Sequence, residues 1–155
     1  MNKALLAALA ALVALAALVA GCGGDDTTSD ETVTLTKTEF IKQGDAICKK
    51  GSDQSEEEAE EYAEENGFTL EKASKDQIEE AVEAVLVPNL RQQAEELEEL
   101  GAPEGDEEQV EEVIVSLEGA ADEIEDDPSA VFDGKVLDEP SKLADEYGFK
   151  VCGEE

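Results

Sequence analysis

The sequence predicts an all-α domain: an antiparallel bundle of three long helices with a shorter fourth at the C-terminal end, tied by one disulfide. Three observations carry this. Apolar residues recur at helical spacing through most of the chain beyond residue 35. Residues that start and stop helices stand at the ends of those stripes. No pair of alternating segments joined by a tight turn reads as a hairpin, and no internal repeat is present.

The first helix starts in "LTKTEFI". Thr36 and Glu39 make a capping box, each able to satisfy an orphan N–H of the first turn, and Leu35 with Phe40 occupy the two positions of a hydrophobic staple. Phe40, Ile41, Gly44, Ile47 and Cys48 share one face; the stripe weakens through Ser55, Ala59, Tyr62 and Ala63, and Asn66-Gly67 supplies a left-handed stop. Gly51 and Ser52 mark a weak point, where a break is expected. A second capping box, Ser74 with Gln77, opens helix 2, whose stripe of Ile78, Ala81, Val82, Val85, Leu86, Leu90, Ala94, Leu97 and Leu100 ends at Gly101 and Pro103. Pro88 lies in its middle, lacks an N–H and clashes with the carbonyl of Ala84, so a kink or break is expected there.

Helix 3 begins after Asp106, carries Val110, Val113, Ile114, Leu117, Ala121 and Ile124, and ends before Pro128. The remainder reads as one turn of helix around Ala130 to Phe132, a helix from Pro140 to Tyr147 stopped by Gly148, and a short extended tail lying back on the bundle.

Ahead of the folded part, residues 4–20 form an Ala/Leu/Val run of 17 residues behind Asn2 and Lys3. That is short of the roughly 20 residues of a comfortable membrane span and suits a signal-peptide core. The run closes on Val19-Ala20-Gly21-Cys22, the pattern of a lipobox. Small residues let the peptidase draw in an extended backbone, and the Cys22 thiol is the atom that takes a diacylglyceryl group. Residues 1–21 are therefore expected to be a lipoprotein signal peptide. The membrane is then a partner through acyl chains on Cys22, two or three of which hold stably where one holds marginally. Residues 22–34 read as a lipidated, acidic tether, whose stretch after Cys22 reaches on the order of 35 Å at about 3.3 Å per residue. Residues 35–152 form the bundle and 153–155 a tail.

The chain has 42 acidic and 11 basic residues, a net charge of −31. Loss of residues 1–21 removes Lys3 and no acid, leaving 10 basic residues and a charge of −32. Nucleic acid is excluded as a partner, since its affinity for proteins comes mainly from Lys and Arg. Anionic headgroups repel the domain as well, so it should stand off the membrane. The acidic run "SEEEAEEYAEEN" reads as a solvated helix face.

With Cys22 lipidated, Cys48 and Cys152 are left in a chain sent out of the cytoplasm, and such a pair reads as a disulfide enclosing nearly the whole domain. There is no histidine, which removes the commonest general base and the imidazole metal sites. No phosphate-binding glycine loop occurs. An EF-hand alignment on Gly134 puts Val131 and Pro140 where oxygen ligands belong. No catalytic residue, metal site or cofactor is expected. The one place where the sequence hints at a groove is the expected Pro88 distortion, flanked by Leu86, Leu90 and Arg91, the only arginine.

With the lipobox, "LTKTEFIKQGDAIC" and "EYGFKVCG" in view, the chain resembles small uncharacterised lipoproteins of high-GC Gram-positive bacteria. In these a Phe-Ile-x-x-x-Asp-x-Ile-Cys segment is matched by a Tyr-Gly-x-x-x-Cys tail; here the residues are Phe40, Ile41, Asp45, Ile47 and Cys48, and Tyr147, Gly148 and Cys152. The resemblance implies a structural signature, two disulfide ends with their packing, and no activity. The expected function is that of a non-catalytic binding or interaction module held outside the membrane, engaging an envelope protein or a small ligand. A small-ligand or cation-binding lipoprotein and an envelope hydrolase using carboxylates are the alternatives.

Overall fold

The computed structural model describes residues 34–153. The expected signal peptide, the residues read as a lipobox (Val19, Ala20, Gly21 and Cys22) and all but the end of the expected tether lie outside them. The helices are α1 (Lys37–Glu65), α2 (Lys75–Ala81), α3 (Val87–Leu100), α4 (Glu107–Asp126) and α5 (Asp138–Tyr147). Shorter 3₁₀ turns stand at Leu70–Lys72 and Pro128–Asp133, and there is no strand among the described residues.

Both predicted capping boxes are formed. Glu39 N–H donates to Thr36 Oγ1 at 3.3 Å while Thr36 N–H donates to the Glu39 carboxylate at 3.0 Å, and Ser74 and Gln77 repeat the exchange at 3.3 and 2.9 Å. Leu35 packs on the cluster that holds Phe40, as a staple requires. Gly67 ends α1 with a φ of +77°.

Two expectations are corrected. Helix α1 runs unbroken through Gly51 and Ser52. Gly51 is buried because α3 crosses it: a Cβ there would lie 2.4 Å from Gln93 Cδ, and Asn89 Nδ2 donates to Gly51 O at 3.0 Å. Pro88 does not break helix 2 either. Between α2 and α3 the residues Val82–Leu86 form a π turn, in which the Val87 N–H reaches back to Val82 O, and Ala81, Val82, Leu86 and Val87 all keep right-handed helical dihedrals. Widening the turn ahead of Pro88 accommodates a ring that would clash with the carbonyl four residues back. It also rescues the stripe. At about 100° per residue, Val85 and Ala94 would face opposite ways on a straight α-helix. Both are buried. The extra residue taken up by the π turn rotates α3 so that Leu90, Ala94 and Leu97 join the face of Ala81 and Val85.

Contacts define the topology. Gly51 meets Gln93 and Gly44 meets Leu97, so α1 and α3 are antiparallel. Arg91 meets Asp122 and Glu125 while Leu97 packs with Val110 and Val113, so α3 and α4 are antiparallel too. The core has two parts. Phe40, Leu97, Val110, Val113, Ala144, Tyr147 and Phe149 form one, with Phe40 and Tyr147 edge to face at 5.9 Å. Val87, Leu90, Ala121 and Ile124 form the other, with Leu86 and Leu137 packed against it.

The tail is bent rather than extended. One carboxylate oxygen, Asp45 Oδ1, accepts from both Lys150 N–H and Val151 N–H at 2.8 Å, which curls the backbone around it. Phe149 is driven into the core beside Gly44.

Candidate functional site

The two core clusters do not close on each other. Between them lies a cleft of about 380 Å³, bounded by α1, α3, α4, α5 and the tail. Leu97, Val113 and Ala144 reach it from the first cluster and Leu90, Leu86 and Leu137 from the second, with Leu117 packed on both. The reason lies in composition. The three aromatic rings of the core, Phe40, Tyr147 and Phe149, are all in one cluster, and the second is built from aliphatic residues and alanine. Leu117 links the two, and no aromatic side chain among the described residues lines the space beside it.

Among the described residues no charged side chain lines the cleft. Its polar lining is Ser52, Ser55, Asn89, Gln93 and Ser141. Asn89, 6 % exposed, is engaged: it donates to Gly51 O and accepts from Gln93 Nε2 at 2.7 Å. Among the described residues no buried side-chain nitrogen or oxygen lacks a hydrogen-bond partner, so the floor holds no orphan group waiting for an ion.

The Cys48–Cys152 disulfide is present, with Cα atoms 5.2 Å apart, and both cysteines stand in the cleft wall. Around it the quoted motif residues form one packing unit. Phe40 meets Tyr147 edge to face, Ile41 lies under Gly148, and Asp45 holds the tail. Tyr147 O–H donates to Asp106 at 3.0 Å with Lys37 over its ring at 3.9 Å, and burial raises its pKa well above the ordinary phenol value.

The groove expected from sequence divides in two. Leu86 and Leu90 line the cleft; Pro88 and Arg91 belong to a separate depression rimmed by Glu83, Glu95 and Glu99. Arg91 is committed to α4. Its Nη1 and Nη2 fork onto Glu125 at 3.1 and 2.7 Å, and Nη2 also reaches Asp122 at 2.7 Å. These bonds raise the guanidinium pKa and lower that of Glu125. The serines, Leu117, Leu137 and Val151 were not among the residues sequence pointed to as a site. Ser52 and Ser55, three apart where the apolar stripe of Cys48 weakens toward Ala59 and Tyr62, are the signal that was available.

The carboxyls that depart from ordinary values, Glu39, Glu96, Glu125, Asp127 and Asp133, all move down, each held ionised chiefly by a hydrogen-bond donor. A carboxyl serving as general acid needs the opposite shift. Among the described residues no cluster of acids and cysteines is arranged to hold a metal ion, and no helix is long and apolar enough to cross a membrane. Compared with protein-family models, curated proteins and solved structures, the chain matches none.

Proposed function

We propose that the protein is a lipid-anchored, extracytoplasmic lipoprotein whose helical domain is a non-catalytic binding module, with the cleft between the two core clusters as its binding site. The observation that carries the reading is the uncharged lining of that cleft in a chain of net charge −31. A hydrolase using carboxylates is disfavoured on the same ground, because no carboxylate of the described residues lines the cleft. The anchor rests on Val19-Ala20-Gly21-Cys22 and on the resemblance to small lipoproteins of high-GC Gram-positive bacteria.

Two experiments test it. Metabolic labelling with an alkyne fatty acid should mark the wild-type chain and not Cys22→Ala; a labelled Cys22→Ala chain refutes the anchor. Crosslinking in intact cells followed by mass spectrometry should place a bound partner or small molecule on residues of the cleft. Turnover of a cell-wall fragment by the purified protein, lost on changing one Asp or Glu, refutes the module.

A further inference from the structure

We infer that the cleft takes a small electrically neutral amphiphile: an apolar body seated between the two core clusters, with a hydroxyl or carbonyl head at the serines. The inference rests on the cleft being the binding site.

Charge decides the class. Elsewhere the exposed faces are crowded with carboxylates, as along residues 56–65 of α1. At the cleft the polar positions are instead held by exposed Ser52 and half-buried Ser55 and Ser141. An anion would be repelled by the field of the whole chain and would meet no lysine or arginine in the lining. A cation would be drawn to the surface, yet on entering it would shed water and find no carboxylate among the described lining residues to replace it. A neutral molecule suffers neither penalty. The body is set by Leu86, Leu90, Leu97 and Leu117 with the disulfide sulfurs, a wall that offers dispersion contact and no directional bond. The head is set by the serine hydroxyls: Ser55 Oγ donates to Ser52 O at 3.0 Å and keeps its acceptor capacity, while the hydroxyls of Ser52 and Ser141 can each donate and accept, which suits an alcohol or carbonyl. The volume of about 380 Å³ falls at the lower end of the roughly 300–1,000 Å³ of small-molecule sites.

The test uses the full lipidated chain in vesicles and three short-chain diazirine photoprobes of one skeleton: an alcohol, its carboxylate and its ammonium analogue. The alcohol should label peptides carrying Leu86, Leu90 or Ser141 saturably, with each charged analogue at least about tenfold weaker. Ser52→Trp, at an exposed position where the melting temperature should stay near wild type, and Ser141→Trp, which fills the cleft, should both reduce labelling severalfold. Supplying the alcohol in water or predissolved in the bilayer separates a dissolved ligand from a membrane one; faster labelling from either source names that source. Equal labelling by the three probes, labelling away from the cleft, or labelling indifferent to both tryptophans overturns the inference. A charged molecule or a protein segment crosslinked inside the cleft would also overturn it while leaving the module reading intact; a cleft that captures nothing in cells or in vesicles removes both.

Discussion

Gly44→Ala should destabilise the domain although it replaces a poor helix former by the best one. Gly44 lies inside α1 at the contact with α3 and the tail. A Cβ built there would sit 2.3 Å from Phe149 Cε1 and 3.0 Å from both Phe149 Cζ and Leu97 Cδ2, against about 3.5–4.0 Å for comfortable carbon–carbon contact. Phe149 is 1 % exposed and Leu97 2 %, so neither has free space to retreat into. Overpacking of this kind costs about 1–3 kcal/mol, and driving the ring out altogether costs about 3–5 kcal/mol. The gain in helix propensity returns only about 1 kcal/mol. The expected balance is a net loss of up to about 2 kcal/mol if the ring shifts and about 2–4 kcal/mol if it leaves, with roughly 4 °C in Tm lost per kcal/mol for a domain of this size. The control is Gly119→Ala in α4, an exposed site where a Cβ meets nothing within 4 Å; it should gain about 0.5–1 kcal/mol. Thermal melts followed by far-UV circular dichroism with the disulfide intact give both values, and the near-UV signal reports the Tyr147 surroundings. A Gly44→Ala chain melting at or above wild type refutes the packing argument.

Reduction, or Cys48→Ser with Cys152→Ser, removes a crosslink spanning 104 residues, worth roughly 4–5 kcal/mol in the chain-entropy picture. Intact mass with and without reductant measures the bond, denaturation measures its worth, and two free thiols in protein taken from the envelope contradict it. Asn89→Ala strips Gly51 O and Gln93 of a buried partner and should cost about 1–3 kcal/mol in urea denaturation. The raised pKa of Tyr147 makes stability fully present below about pH 10 and lost as pH rises through the folded-state value. In Tyr147→Phe, which keeps the ring, the alkaline fall in Tm should flatten; an unchanged fall counts against the assignment. Finally, a chain of net charge −31 repels itself, so added monovalent salt should raise Tm. A fall would mean that the ion pairs, such as Arg91 with Asp122 and Glu125, outweigh that repulsion.

Most helix ends were legible from sequence because their causes are local. A cap works over three or four residues, so Thr36 with Glu39, Ser74 with Gln77, and Gly67 can be read without knowing what the helix packs on. The all-α class followed from periodicity and the disulfide from compartment and count. What neighbours decide was not legible. Gly51 looks like a weakness in isolation and becomes a crossing point only because Asn89 and Gln93 arrive from α3. The π turn before Pro88 depends on α3 having to present Leu90, Ala94 and Leu97 to its neighbours, a demand absent from the local sequence. Arg91 looked like a lining residue and is an ion-pair partner of α4. The cleft is the clearest case. It lies beside two clusters that share α3, α4 and Leu117, and the space left between packed elements is a property of their arrangement that no single segment contains.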